Sequence, residues 1–418
     1  MPRSRISKIK CHPKKKFFVR DSIHTVLMSN YQYKSIYNMC IAIFFILLLD
    51  NISQEFLKSK TITLGLQTIV RGFGLLHVVF IVWVLLHVPI IGLYFALRGW
   101  YNGVQMLKSS SALKIVWNIC CLLCFTGLQF SLIYVSTRVC LVYRLPFGSA
   151  FALLIETFRL MMKCHAFVRT NVRRLIVNNQ FTSISSYLYY LFAPTFIYQD
   201  AYPRTEKIRW KIAFKSLLEI IAIIFLVSFL YEGYIQPNFQ AIGFQNFTLE
   251  KIAGRFFGII LPSNLIFFGT NYLVLHSWLN FAGEVMRFGD RLYYEEWWTS
   301  GDFKTYYRSW NITVHEWFYE FIYKDSCKYI FKGSQAGSAL LVFWLSTFMH
   351  EYVIVFSMRM FFPLLSILYG VFGVCLYFTT SHLPPRIGNI IVWLFLLLGS
   401  AVLISFYSMA YYSQFNSF

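Results

Sequence analysis

The sequence predicts an all-α polytopic membrane protein of about nine transmembrane helices, on three observations. Of its 418 residues, 57% are hydrophobic and 13% charged, against roughly 25% charged in an ordinary soluble domain. The apolar residues come in long unbroken runs, whereas an outer-membrane barrel shows short alternating segments separated by turns. Lys and Arg gather in alternate connections between the runs, as cytosolic loops require. An aromatic share of 20%, with Gly 22 and Pro 11, excludes disordered, collagen-like and linker-rich chains.

A span needs about 20 mostly apolar residues. Nine stretches qualify: 35–50, 73–97, 115–143, 147–164, 212–231, 256–277, 336–359, 361–381 and 388–409. The first is short. The fourth carries Glu156, Arg159 and Lys163, a polarity that also suits an amphipathic helix lying in the interface. With the N-terminus in the cytosol, the five cytosolic segments hold 27 Lys and Arg, and the five on the opposite side hold 6. The formal charge of +20 is thereby explained by the anionic inner leaflet, and no nucleic acid is called for. Residues 1–34 form a basic cytosolic head expected to lie on membrane lipid, and residues 35–418 form the membrane domain. The first apolar run begins too far in for a cleavable signal and reads as a retained anchor. Sequons at Asn51 and Asn246 fall on the lumenal side; that at Asn311 falls in the cytosol.

Nine cysteines are scattered, mostly inside apolar runs, so no disulfide framework is readable. Cys121 and Cys124 form a CxxC without a second pair and read as packing residues. No internal repeat is visible, which weighs against an inverted-repeat transporter.

The longest interruption, 278–335, holds eight of the eighteen acids and the densest aromatic clustering. Its bland reading is an aromatic belt beneath cytosolic helices. Within it, Arg308, Asn311 and His315 stand at i, i+3 and i+7, and a continuous helix would place them on one face. A guanidinium, an amide and an imidazole together suit an anionic ligand that also carries carbonyl and amide groups, such as coenzyme A. The bland alternative is a hydrogen-bonded interfacial helix with one solvated arginine.

The second candidate is Ser346 to Tyr352 in the seventh span. A charged side chain at membrane depth costs about 2.5–3.5 kcal/mol, so a His beside a Glu there is a functional-site hypothesis. Ser346 and His350 share a helix face. Glu351 is turned about 100° away and belongs with Thr347 to a neighbouring stripe. Position 354 is Ile, so the zinc motif HExxH fails and no metal is implied. His77, His87 and His276 also lie in or beside apolar runs, where a packed neutral histidine is the usual case.

At these residues the sequence resembles the sterol O-acyltransferase branch of the membrane-bound O-acyltransferase family. The resemblance runs through Lys15–Ser22, Met162–Arg169, Phe192–Arg204, Phe288–Arg291, Trp310-Asn311, Met349–Tyr352 and Phe406–Ser408. Several long blocks in the same order make it specific. It implies a horseshoe of about nine helices around a central tunnel, residing in the endoplasmic reticulum as a homodimer or dimer of dimers. It further implies transfer of a long acyl chain from acyl-CoA, a co-substrate, to a sterol hydroxyl, with no resident cofactor. By position, His350 takes the family's catalytic histidine and Asn311 its active-site asparagine. Arg308, His315, Tyr323 and Ser346 fall on acyl-CoA-binding positions. Departures occur where the branch has Phe-Tyr-any-Asp-Trp-Trp-Asn: Tyr293, Glu296 and Thr299 replace the first aromatic, the aspartate and the final amide. Thr305 replaces an asparagine, and Gln335 a lysine, with Lys332 nearby.

A sterol hydroxyl is a weak nucleophile, so its attack on a thioester needs a base. A neutral imidazole suits that role, and burial keeps an imidazole uncharged. Asn311 is the expected donor to the developing oxyanion. Both substrates can meet at His350, so an acyl-enzyme on Ser346 is the lesser variant. The alternatives are a diacylglycerol acyltransferase of the same superfamily and a non-catalytic lipid-binding or transport protein.

Overall fold

The computed structural model describes residues 15–59, 65–107, 111–240 and 248–415. Most of the basic head, including Arg3 to Lys14, and the Asn246 sequon lie outside the described residues. Among the described residues there is no β-strand, only two isolated bridges. The helices run in order α1 (Ile23–Leu27), α2 (Tyr31–Ser59), α3 (Leu66–Gly72), α4 (Leu76–Met106), α5 (Ser111–Val142), α6 (Phe147–Asn178), α7 (Ile184–Phe192) and α8 (Trp210–Leu230). They continue with α9 (Gln236–Phe239), α10 (Leu249–Tyr272), α11 (Leu279–Val285), α12 (Phe303–Ser309), α13 (Ile312–Trp317), α14 (Gln335–Met358), α15 (Val374–Thr379) and α16 (Pro385–Phe415).

Seven helices among the described residues are long and apolar enough to cross a membrane: Tyr31–Asp50, Leu76–Met106, Ser111–Val142, Trp210–Phe239, Ala253–Val285, Gln335–Met358 and Pro385–Gln414. The fourth and eighth expected spans differ from these. The fourth is the front half of α6, whose charged residues lower its hydropathy. The eighth is a helical run over 364–379, π-wound at Ser366–Gly373. At 1.5 Å per residue it is shorter than a bilayer's hydrocarbon core of about 30 Å.

The described residues form two compact units, one drawn from residues 1–17, 73–202 and 313–360, the other from 18–72, 203–312 and 361–418. In the first, α6 packs against α4, α5 and α14, and the charged residues of its front half are partnered internally. Arg159 donates to both oxygens of Glu156 at 2.6 and 2.7 Å and to the Leu191 carbonyl at 2.7 Å. Trp83 donates to Glu156 at 2.9 Å. Lys163 is 1% exposed and donates to the Tyr190 and Ala193 carbonyls, both at 2.6 Å, at the C-terminal end of α7. Replacing Lys163 by Met keeps the volume but strips both carbonyls of their donor, at about 1–3 kcal/mol for each group left unsatisfied. The melting temperature of the detergent-solubilised variant is expected to fall well below that of the parent.

In the second unit, α10 packs against α8 and α16. Asn264 donates to the Leu397 carbonyl at 3.2 Å and accepts from Ser400 at 2.7 Å, so one amide clasps two spans. The N-terminal turn of α16 meets the 298–302 loop backbone to backbone. A Cβ on Gly388 would stand 1.8 Å from the Gly301 carbonyl oxygen, which only glycine avoids. Asn389 bonds the carbonyls of Trp298 and Ser300 at 3.1 and 2.9 Å, and Trp393 reaches Trp298 at 3.1 Å.

His24 of α1 lies in this unit with its ring 4.5 Å from that of His276 and 5.1 Å from Tyr272. Burial, reinforced by the Lys215 charge, lowers its pKa to about 4. The folded protein therefore binds fewer protons here than the unfolded chain between the ordinary histidine value of about 6.5 and about 4. Stability is full above that window and is lost as pH falls through it. Melting curves across this range should drop on acidification, and His24→Leu should flatten the drop.

Candidate active site

The first unit carries His350. Ser334 caps α14, its hydroxyl accepting from Gly337 N–H at 3.2 Å, and the helix ends at Arg359 in the left-handed region, φ 53°. Three side chains fix the rotation of α14. Thr347 and Glu351 are buried, at 1% and 7% exposure, and are the neighbouring stripe expected from the sequence. Tyr352 shares a 2.7 Å hydrogen bond with Thr137 of α5 and packs edge-on to Phe158 of α6. His350, a full 200° from Tyr352 around the helix, is accordingly exposed. The burial expected for it is not found, and the argument that burial holds it in the base form does not apply.

A hydrogen bond sets the ring's tautomer. His350 Nδ1 lies 2.7 Å from the carbonyl oxygen of Ser346. A carbonyl only accepts, so Nδ1 carries the ring proton and Nε2 carries the basic lone pair. This contact brings Ser346 and His350 together through the backbone of Ser346, not through its hydroxyl, and gives that hydroxyl no activation.

Arg308 and Asn311 lie in the second unit, and the structure corrects the single-face argument that joined them to His315. The helix stops at Ser309, where Trp310 N–H closes α12 on the Tyr306 carbonyl at 2.9 Å, and resumes at Ile312. Backbone bonds to the 293–295 stretch cause the break: Ile312 N–H donates to Tyr293 O at 2.9 Å and Glu295 N–H to Ser309 O at 2.8 Å. Asn311 thus sits in the joint, at the position before a helix where asparagine is favoured, half-buried beside Trp310. Arg308 is exposed at the end of α12.

His315 and Tyr323 lie in the first unit, on a helix that passes from α13 into a π-wound segment, Phe318–Tyr323. The blocks noted in the sequence seat it. Trp317 donates to the Met162 carbonyl at 2.9 Å, and the His165 ring meets Trp317 and Phe321 edge-on at 5.5 and 5.6 Å. Lys15 pairs with Glu316 at 2.6 Å, and Arg169 with Asp325 at 2.6 Å.

Arg20, Pro203 and the Phe288–Arg291 block form a knot in the second unit. Arg20 N–H donates to Gly289 O at 2.9 Å, Gly289 N–H to Pro203 O at 2.8 Å, and Arg20 pairs with Asp290 at 2.7 Å. A Cβ on Gly289 would approach the Pro203 oxygen to 2.9 Å. Glu284, 0% exposed, takes Arg209 at 3.0 Å and Arg291, and Arg209 also reaches Asp21 at 3.1 Å. These motifs build scaffold. Sequence reasoning did not find this knot, nor the clasp of Tyr352 on Thr137.

A cavity of about 520 Å³ in the second unit is lined by Arg20, Glu295, Glu296, Thr299, Thr305 and Ser309, among others. Three of the sequence's departures, Glu296, Thr299 and Thr305, therefore meet around one space. Tyr293 is instead packed in the core with Leu275 and Tyr294, and Gln335 opens α14.

Comparison with known proteins identifies the family. The family model for the membrane-bound O-acyltransferases matches residues 62–409. Sterol O-acyltransferase 1 of Mus musculus is 33% identical over 408 residues, 95% of this chain and 75% of that protein. Sterol O-acyltransferase 2 of Mus musculus is 30% identical over 96% of this chain and 78% of its own length, and that of Homo sapiens 29% over 96% and 76%. The chain belongs to the membrane-bound O-acyltransferase family.

Proposed function

We propose that the protein is an acyl-CoA-dependent sterol O-acyltransferase. The observation that carries this is likeness along nearly the whole chain to proteins named for that activity, with a histidine at the expected position whose Nδ1 is tied to a carbonyl. His350 Nε2 takes the proton of the sterol hydroxyl as the oxygen attacks the thioester carbonyl carbon. Negative charge gathers on the former carbonyl oxygen, where the Asn311 amide donates to it. The intermediate collapses, the C–S bond breaks, and the proton on His350 passes to the departing sulfur, giving steryl ester and free CoA. Arg308, His315, Tyr323 and Ser346 hold the acyl-CoA, and no resident cofactor is needed.

The excess of Lys and Arg in alternate connections, 27 against 6, supports a cytosolic N-terminus in the endoplasmic reticulum membrane, with acyl-CoA arriving from water and sterol from lipid. No residue of the Tyr31–Asp50 helix is fully buried within the chain, which supports assembly with a second copy as a dimer or a dimer of dimers.

The test is incubation of the purified protein with labelled oleoyl-CoA and either cholesterol or diacylglycerol. Labelled steryl ester is the expected product. Triacylglycerol would reassign the acceptor, and neither product, with lipid still bound, would return the chain to a non-catalytic role.

A further inference from the structure

Three rings of the helix that begins at Ile312 form a ladder: His315 and Tyr319 stack with centroids 6.2 Å apart and planes 12° apart, Tyr319 and Tyr323 at 5.5 Å and 20°. Residues four apart lie one above the other on a helix, so the three rings share a face. The ladder spans the change from α to π winding at Phe318–Tyr323. The opposite face is buried through Trp317, Phe318 and Phe321, whereas the ladder rings are half-buried. Lys324 stands 5.0 Å from the Tyr319 ring centroid, held by Glu320 at 2.5 Å.

We propose that Tyr319 is a positioning residue for the acyl donor: as the middle ring of the ladder it holds His315 and Tyr323 in the orientation that receives acyl-CoA. The inference rests on the reading that His315 and Tyr323 bind the donor. Tyr319 touches both outer rings. Without it each loses a stacking partner and gains freedom that binding must then remove. The cost falls on donor affinity and leaves the chemical step at His350 and the sterol's affinity unchanged.

The experiment measures CoA and oleoyl-CoA affinity of the purified full-length protein in detergent, with no acceptor present, for the parent, Tyr319→Phe, Tyr319→Leu and Tyr319→Ala. Each is checked first for a monodisperse, cooperatively melting sample. Tyr319→Phe keeps the ring and should bind within twofold of the parent. Tyr319→Leu fills the space without a plane, and with Tyr319→Ala it should bind about three- to tenfold more weakly, the worth of one aromatic stack. In turnover assays the loss should appear as a raised KM for oleoyl-CoA, with kcat and the sterol KM unchanged. Equal affinity in all four proteins overturns the proposal, as does a parent that binds no CoA or a loss confined to kcat. Failure to make steryl ester refutes the proposed reaction but leaves the affinity series to decide the ladder.

Discussion

His350→Ala is expected to lower steryl ester formation by about 10²–10⁴-fold, the range contributed by a positioned general base. The substitution removes the only atom assigned to accept the hydroxyl proton. It should do little else. His350 is exposed, so truncation opens no internal cavity. Its Nδ1 partner is a mid-helix carbonyl that also accepts from the backbone. Stability should stay within about 0.5 kcal/mol of the parent, as for a surface change away from special features, and oleoyl-CoA should bind as before. Turnover within a few fold of the parent would remove His350 from the role of base, and an unfolded variant would show that the residue matters to packing.

Asn311→Asp should lower kcat by about 10²–10³-fold or more, the usual effect of losing one donor to an oxyanion, while the protein remains folded. The comparison with Asn311→Ala separates two roles that share one position. Asn311 precedes a helix, where Asn and Asp are equally good and Ala costs about 1 kcal/mol. If the residue matters only by starting α13, Asp rescues and Ala does not. If it matters by donating to the thioester oxygen, Asp is the worse of the two, since a carboxylate donates nothing and repels the developing charge. Single-turnover assays at saturating sterol, alongside melting curves, make the distinction. An Asp variant that turns over normally would leave Asn311 as a cap.

Much of the membrane architecture was legible because insertion is decided locally. Twenty residues of sufficient hydropathy commit themselves whatever the rest of the chain does, and seven of the nine stretches read as spans are helices able to cross. The Glu351 and Thr347 stripe followed from 100° per residue alone. The break at Trp310–Asn311 was not legible, because its cause is a backbone carbonyl supplied by Tyr293, and no spacing within 308–315 encodes a partner from outside. The ladder through Tyr319 escaped for a different reason: spacing puts 315, 319 and 323 on one face but does not say that their rings stack.

By itself the sequence determined the helical membrane class, seven of the stretches long and apolar enough to span, and the residue types available for acyl transfer. Only the tertiary structure decided that Nδ1 of His350 holds the proton, that the Lys15, Met162 and Phe288 blocks act as seats and knots, and that His315 reaches Tyr323 through an intervening ring. Hydropathy is a property of each residue summed along the chain, whereas a hydrogen bond or a ring stack belongs to a pair and exists only once folding has chosen both partners.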